Sequence, residues 1–187
     1  MRSFRHRLTR AQQRQYDRSN AVSAIPLRVS PRLRAGVALL DSALQTANRG
    51  QTQQLAQVVC DEICAALRVA PVRIVVGDRR PSDARGELHG LYTPTDSGRR
   101  DRIEVWMVTA KRGQVVAFKT FLRTLLHEIC HHLDYGVLKL QESFHTEGFF
   151  QRESSLFYQV MQNQAADARA VRTHVGAHMG GRPKGSC

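Results

Sequence analysis

A helix with two different faces constrains this chain most. At about 100° per residue, residues 118–134 (FKTFLRTLLHEICHHLD) put Phe118, Leu122, Leu125, Ile129 and Leu133 on one stripe. His127, His131 and Asp134 fall nearly opposite. The first face belongs in a core. The second carries groups that are costly to bury without partners, so whatever packs beside this helix must leave room for chemistry.

The flanking sequence places that helix in an α+β domain. Helices are expected over 9–18, 32–48 and 51–68, where Leu33, Val37, Leu40, Leu44 and then Leu55, Val59, Ile63 and Leu67 recur at helical spacing. Asn48-Arg49-Gly50 reads as a stop. The texture then changes to β-branched runs: VRIVVGD, GELHGLYT and DRIEVWMVT are three strand candidates, with the turn-rich PTDSGRR between the last two. In the third, Ile103, Val105 and Met107 alternate with Glu104, Trp106 and Val108, as in a strand with one face in the core. A long helix over 114–135, closed by Gly136 as a left-handed C-cap, and another over 146–168 complete the order. Helices, three strands, then helices predict a small three-stranded sheet, mixed or antiparallel. The expected organisation is a basic arm over 1–31, a domain over 32–168 and a basic, flexible tail over 169–187.

Charge and cysteine usage narrow the function classes. The net charge is +12 over 187 residues, and nine arginines precede residue 35 against Asp17 alone. Such basic ends favour polyanions by counterion release, so nucleic acid is a candidate partner; they read equally well as solvated extensions that keep the protein soluble. No run of about eighteen apolar residues is present, so no membrane span is expected. The N-terminus lacks the apolar core of a signal peptide, which makes the cytoplasm the expected compartment. Cys60, Cys64, Cys130 and Cys187 do not form a disulfide framework, and Cys60 and Cys64 read as small apolar fillers on a helix.

On the second face, His127-Glu128-Ile129-Cys130-His131 is His-Glu-x-x-His. Two imidazoles one turn apart can bind one Zn²⁺, while the adjacent glutamate reaches a water at the metal without ligating. A catalytic zinc needs a third protein ligand. The candidates are His145, Glu147 and Asp134. His145 follows His131 by fourteen residues, enough for a loop to return it to the metal. Asp134, one turn past His131, is better placed to orient an imidazole. His132 faces the core side, where a packed, hydrogen-bonded ring is expected. His174 and His178 also have helical ligand spacing, but Gly176 and the glycine-rich flank argue for a tail.

From about Gly90 to Phe150 the chain resembles the SprT-like branch of the zincin metallopeptidases. The resemblance is carried by a strand before the helix (RIEVWMV), by LLHEICH, and by His145 followed four residues on by Phe149. The family writes that last element His-Gly-x-x-Phe or Trp; here glycine stands at 148 instead. The four-cysteine zinc ribbon found in many members is missing from the tail, which holds Cys187 alone.

The resemblance implies a zincin-like fold and a hydrolase that cleaves protein or peptide substrates. It implies His127, His131 and His145 as ligands to one Zn²⁺ per chain and Glu128 as catalytic base. Glu128 would take the proton of water and deliver it to the leaving amine. Tyr92, Tyr135, Arg123, Arg152 and Tyr158 are candidate oxyanion donors, and the edge of 103–108 is a candidate docking strand for an extended peptide. The competing expectations are a non-catalytic module of the same shape that binds DNA or protein, and a zinc hydrolase of non-peptide amides.

Overall fold

The computed structural model describes residues 4–84, 86–95 and 100–178, with side chains of the last helix described through Gln162. A 3₁₀ turn, Phe4–Arg7, precedes α1 (Arg10–Asn20), α2 (Pro31–Gln45) and α3 (Arg49–Leu67). The strands are β1 (Arg73–Arg79), β2 (Ser82–Asp83), β3 (Gly86–Glu87), β4 (Gly90–Thr93) and β5 (Arg102–Val108). Two further helices, α4 (Phe118–Gly136) and α5 (Glu147–His178), follow. Among the described residues no helix is long and apolar enough to cross a membrane.

Local chemistry starts these helices. Thr9 and Gln12 form a reciprocal capping box on α1. Ser30 caps α2, with Pro31 in its first turn. Asn48 caps α3, so the stop expected at 48–50 is the start of the next helix, and Ala47, at φ 51°, makes the reversal.

The fold is mixed α+β. The principal sheet has the order β1-β5-β4, with β1 parallel to β5 and β4 antiparallel to it. It is therefore mixed, and β5 lies in its centre. Ile74 and Val76 of β1 and Ile103, Val105 and Met107 of β5 are buried in one core with α2, α3, α4 and α5. The single strand expected over 86–93 is divided: β3 pairs with β2 in a separate two-stranded ribbon. Leu88 N–H donates to Pro81 O at 2.9 Å and Glu87 pairs with Arg80 at 3.5 Å, drawing this stretch away from the main sheet.

A strand at a sheet edge presents unpaired backbone groups. At β1 they are met by α3. Gln57 Oε1 accepts from Ile74 N–H at 2.8 Å, Gln57 Nε2 donates to Val72 O at 2.9 Å, and Gln53 Oε1 accepts from Val76 N–H at 3.0 Å. That edge is closed. The opposite edge, β4, borders α4.

Four expectations are corrected. First, α4 begins at Phe118 rather than 114, because the β-branched pair Val115-Val116 is held extended: Val115 bridges to Val108, and Val116 N–H donates to Met107 O at 2.7 Å. Second, Gly136 is not a left-handed cap. It is the last residue of α4, where a Cβ would lie 2.9 Å from Val69 Cγ1, and the positive φ falls at Lys139. Third, α5 runs to His178 instead of ending near 168; the side chains of His174 and His178 and all of 179–187, Cys187 included, lie outside the described residues.

Fourth, the basic N-terminal stretch is not a free arm. Ile25 and Leu27 are core residues, Leu27 N–H donates to Gln159 Oε1 at 2.7 Å, and Ser19 is fully buried. Arg5 pairs with Asp17 and Arg18 donates to Leu138 O at 3.0 Å, while Arg10 and Arg14 remain exposed. Cys60 and Cys64 are buried core residues, as their spacing suggested.

Candidate metal centre

α4 carries His127 and His131 one turn apart. The loop from Val137 to Thr146 brings the chain back over them. Thr146 ends that loop as the cap of α5: its Oγ1 accepts from Phe149 N–H at 3.0 Å, and its carbonyl accepts from Phe150 N–H at 3.2 Å. His145, the residue before, is thereby delivered to the face of α4. Its Nε2 lies 3.0 Å from Nε2 of His127 and 3.1 Å from Nε2 of His131. The fully buried Phe149 makes the floor, with its ring centroid 5.0, 4.7 and 5.1 Å from those of His127, His131 and His145. The His145–Phe149 spacing thus has a packing reason. So does the displaced glycine: a Cβ at Gly148 would lie 2.5 Å from Asn20 O and 2.7 Å from Ser19 O.

The outer nitrogens decide what the inner ones present. His127 Nδ1 lies 3.0 Å from Glu153 Oε2, and a carboxylate only accepts, so Nδ1 carries the proton. His131 Nδ1 lies 2.7 Å from Ser143 Oγ, and Ser143 donates its only hydroxyl proton to Asp134 Oδ2 at 2.7 Å. His131 Nδ1 is therefore also a donor. Both inner Nε2 atoms present lone pairs to the place where His145 Nε2 points.

A single cation satisfies all three. In a tetrahedral zinc site with Zn–N near 2.0–2.1 Å, nitrogens sit about 3.3 Å apart, so these rings need to spread only slightly. The three histidines can hold a metal ion. Burial and the neighbouring His127 and His145 push the His131 imidazole down to about 3, which keeps it in the neutral, ligating form.

The other candidates for third ligand do not join. Glu147 is exposed and accepts from Gln151 Nε2 at 3.1 Å. Asp134 is fully buried beneath the site, bound to Ser143 and to Arg152. It reaches His131 through Ser143 rather than directly.

Glu128 is 6% exposed and leans on β4. Burial raises its pKa to about 7, against the opposing effects of His127 and of the Tyr92 backbone N–H that its carboxylate accepts. Gly90 makes the space: a Cβ there would lie 2.4 Å from Glu128 Oε1.

Two contiguous clefts of about 320 Å³ each open beside this group. One is lined by His89, Gly90, Arg123, Thr124 and Glu153, the other by Leu91, Tyr92, Tyr135, Ser143 and His145, and both include His127 and Glu128. A 380 Å³ hollow between Pro81 and Leu88 holds none of these histidines.

Of the oxyanion candidates, Arg123 and Tyr135 line the clefts. Tyr92 does too, but its hydroxyl donates to Asp101. Arg152 is fully buried and committed elsewhere, and Tyr158 lines neither cleft. The expectation of an open edge over 103–108 is corrected: β5 is paired on both sides, and the edge strand beside the site is β4, whose Tyr92 N–H is given to Glu128.

His132 packs as expected, its Nε2 2.8 Å from Ala70 O and its Nδ1 3.2 Å from Asp101. Glu153 and Ser143 escaped the sequence reading. Each lies across an element boundary from the ring it touches, and no local spacing ties the two.

Compared with protein-family models, curated proteins and solved structures, the chain matches none.

Proposed function

We propose that this chain is a zinc-dependent metalloendopeptidase of the SprT-like kind, with one Zn²⁺ held by His127, His131 and His145. The observation that carries the reading is the meeting of three imidazole Nε2 atoms, two with their tautomers fixed, beside a buried carboxylate that is not among them. Bound there, Zn²⁺ supplies Lewis acidity toward an amide carbonyl and toward water.

The chain's own residues do the rest. Glu128 takes the proton of the attacking water and passes it to the departing amine. An extended peptide lies along β4, paired through its main chain and held without strict side-chain selection. Tyr135 and Arg123, one in each cleft, are the donors nearest to a developing oxyanion, Arg123 while also paired with Glu153 at 3.6 Å. The exposed Arg10 and Arg14 carry the separate expectation of a nucleic-acid partner.

Glu128→Gln tests the reading. The variant keeps its zinc, measured by elemental analysis, and loses cleavage of an unfolded protein substrate by about a hundredfold or more. Cleavage at the wild-type rate would remove Glu128 from the reaction.

A further inference from the structure

We propose that Arg152 is a positioning residue that couples docking of the N-terminal segment to the metal affinity of the three-histidine centre. The inference rests on the metal-centre reading above. Arg152 lies in the second turn of α5 with no exposed surface. Its Nη1 donates to the carbonyls of Ser19, at 2.6 Å, and Val22. Its Nη2 donates to Ser19 Oγ at 3.0 Å and to Asp134 Oδ1 at 2.8 Å.

The second carboxylate oxygen of Asp134 continues the chain. It accepts from Ser143, which accepts in turn from His131 Nδ1, each at 2.7 Å. One unbroken polar chain therefore runs from the end of α1 to a ligand ring. Each link sets the next: Arg152 occupies one oxygen of Asp134, the other takes the Ser143 proton, and that direction fixes the His131 tautomer.

A shorter tie reaches His145. Ser19 Oγ lies 3.2 Å from Thr146 Oγ1, and Asn20 Oδ1 accepts from Gly148 N–H at 3.1 Å. The end of α1 thus presses on the residues that follow His145. Undocking it leaves Nη1 of Arg152 without its two carbonyls in the core, a costly state for a buried donor. Coupling of this kind is reciprocal: a docked segment tightens the metal site, and bound metal holds the segment down.

The test uses the full-length chain and two readouts. Zn²⁺ affinity is measured by competition with a chromophoric chelator. Trypsin cleavage after Arg14 and Arg18 is followed with and without saturating Zn²⁺. In the wild type, Zn²⁺ slows cleavage at those sites.

Ser143→Ala removes a hydroxyl whose hydrogen bonds, among the described residues, are to His131 and Asp134. It weakens Zn²⁺ affinity about 10–100-fold and abolishes most of the zinc-dependent protection. Ser19→Ala, which changes a side chain bonded to Arg152 and Thr146 rather than to a ligand ring, shifts both readouts in the same direction.

A residue with a merely structural role would raise cleavage equally with and without Zn²⁺ and leave the Zn²⁺ affinity unchanged. Affinities within twofold of wild type in both variants, or wild-type cleavage indifferent to Zn²⁺, would overturn the coupling while leaving the metal centre standing. A wild type that binds no Zn²⁺ would overturn the metal-centre reading, and the coupling with it.

Discussion

Glu128 is a carboxylate kept where carboxylates are expensive to keep. At 6% exposure, burial raises its pKa to about 7, and one backbone N–H and the facing His127 are the groups that offset this. Gly90 is what allows it to stay. A Cβ at 90 would meet Oε1, Cγ and Cδ of Glu128 at 2.4, 2.8 and 2.9 Å, so Gly90→Ala evicts the whole carboxylate without touching a histidine. The expected result is a variant with wild-type zinc content and peptide cleavage reduced about a hundredfold, the scale of a misplacement of about 1 Å. Steady-state kinetics and elemental analysis on the same preparation check it; cleavage at the wild-type rate would mean that Glu128 acts from another position.

At the scale of elements, the sheet is asymmetric by construction. α3 lays Gln53 and Gln57 along β1 and satisfies Ile74 N–H, Val76 N–H and Val72 O, while β4 keeps its outer side toward the clefts. Gln57→Leu leaves the buried Ile74 N–H and the Val72 carbonyl without these partners. It is expected to cost about 1–3 kcal/mol, read as a lowered urea midpoint, with an unchanged midpoint as the contrary result.

Much of this level was legible in the residues. The helix periods of α2 and α3, the alternation in β5 and the two-faced α4 all appear as spaced, because each follows from local apolar pattern. What was not legible depends on partners distant in sequence. Val115-Val116 join β5 rather than α4 because Met107 O and Val108 are there to receive them. Residues 86–93 divide because Pro81 and Arg80 pull on one half. Gly136 looked like a cap, yet its lack of a Cβ serves the approach of Val69.

The site follows the same rule. His127, Glu128 and His131 come from a helix period, and His145 from a plausible loop length. Glu153, Ser143 and the role of Arg152 arise only where α1, α4 and α5 meet.

For the whole molecule, the three-histidine cluster is a joint between three parts of the chain: α4, the loop ending at Thr146, and the N-terminal segment docked against α5. A ligand that binds only the folded state stabilises it by mass action, about 2.7 kcal/mol at a hundredfold excess over Kd. Removing metal with a strong chelator is therefore expected to lower the thermal midpoint of the full chain, and returning Zn²⁺ to restore it. A midpoint indifferent to both would separate folding from metal binding.

The most direct measurement is the zinc content of the purified protein, wild type beside His145→Ala. The three-histidine centre predicts about one zinc per chain in the wild type and a sharp loss in the variant, since Glu147 and Asp134 are held away by Gln151, Ser143 and Arg152. Equal zinc in both proteins, or none in either after reconstitution, would contradict it.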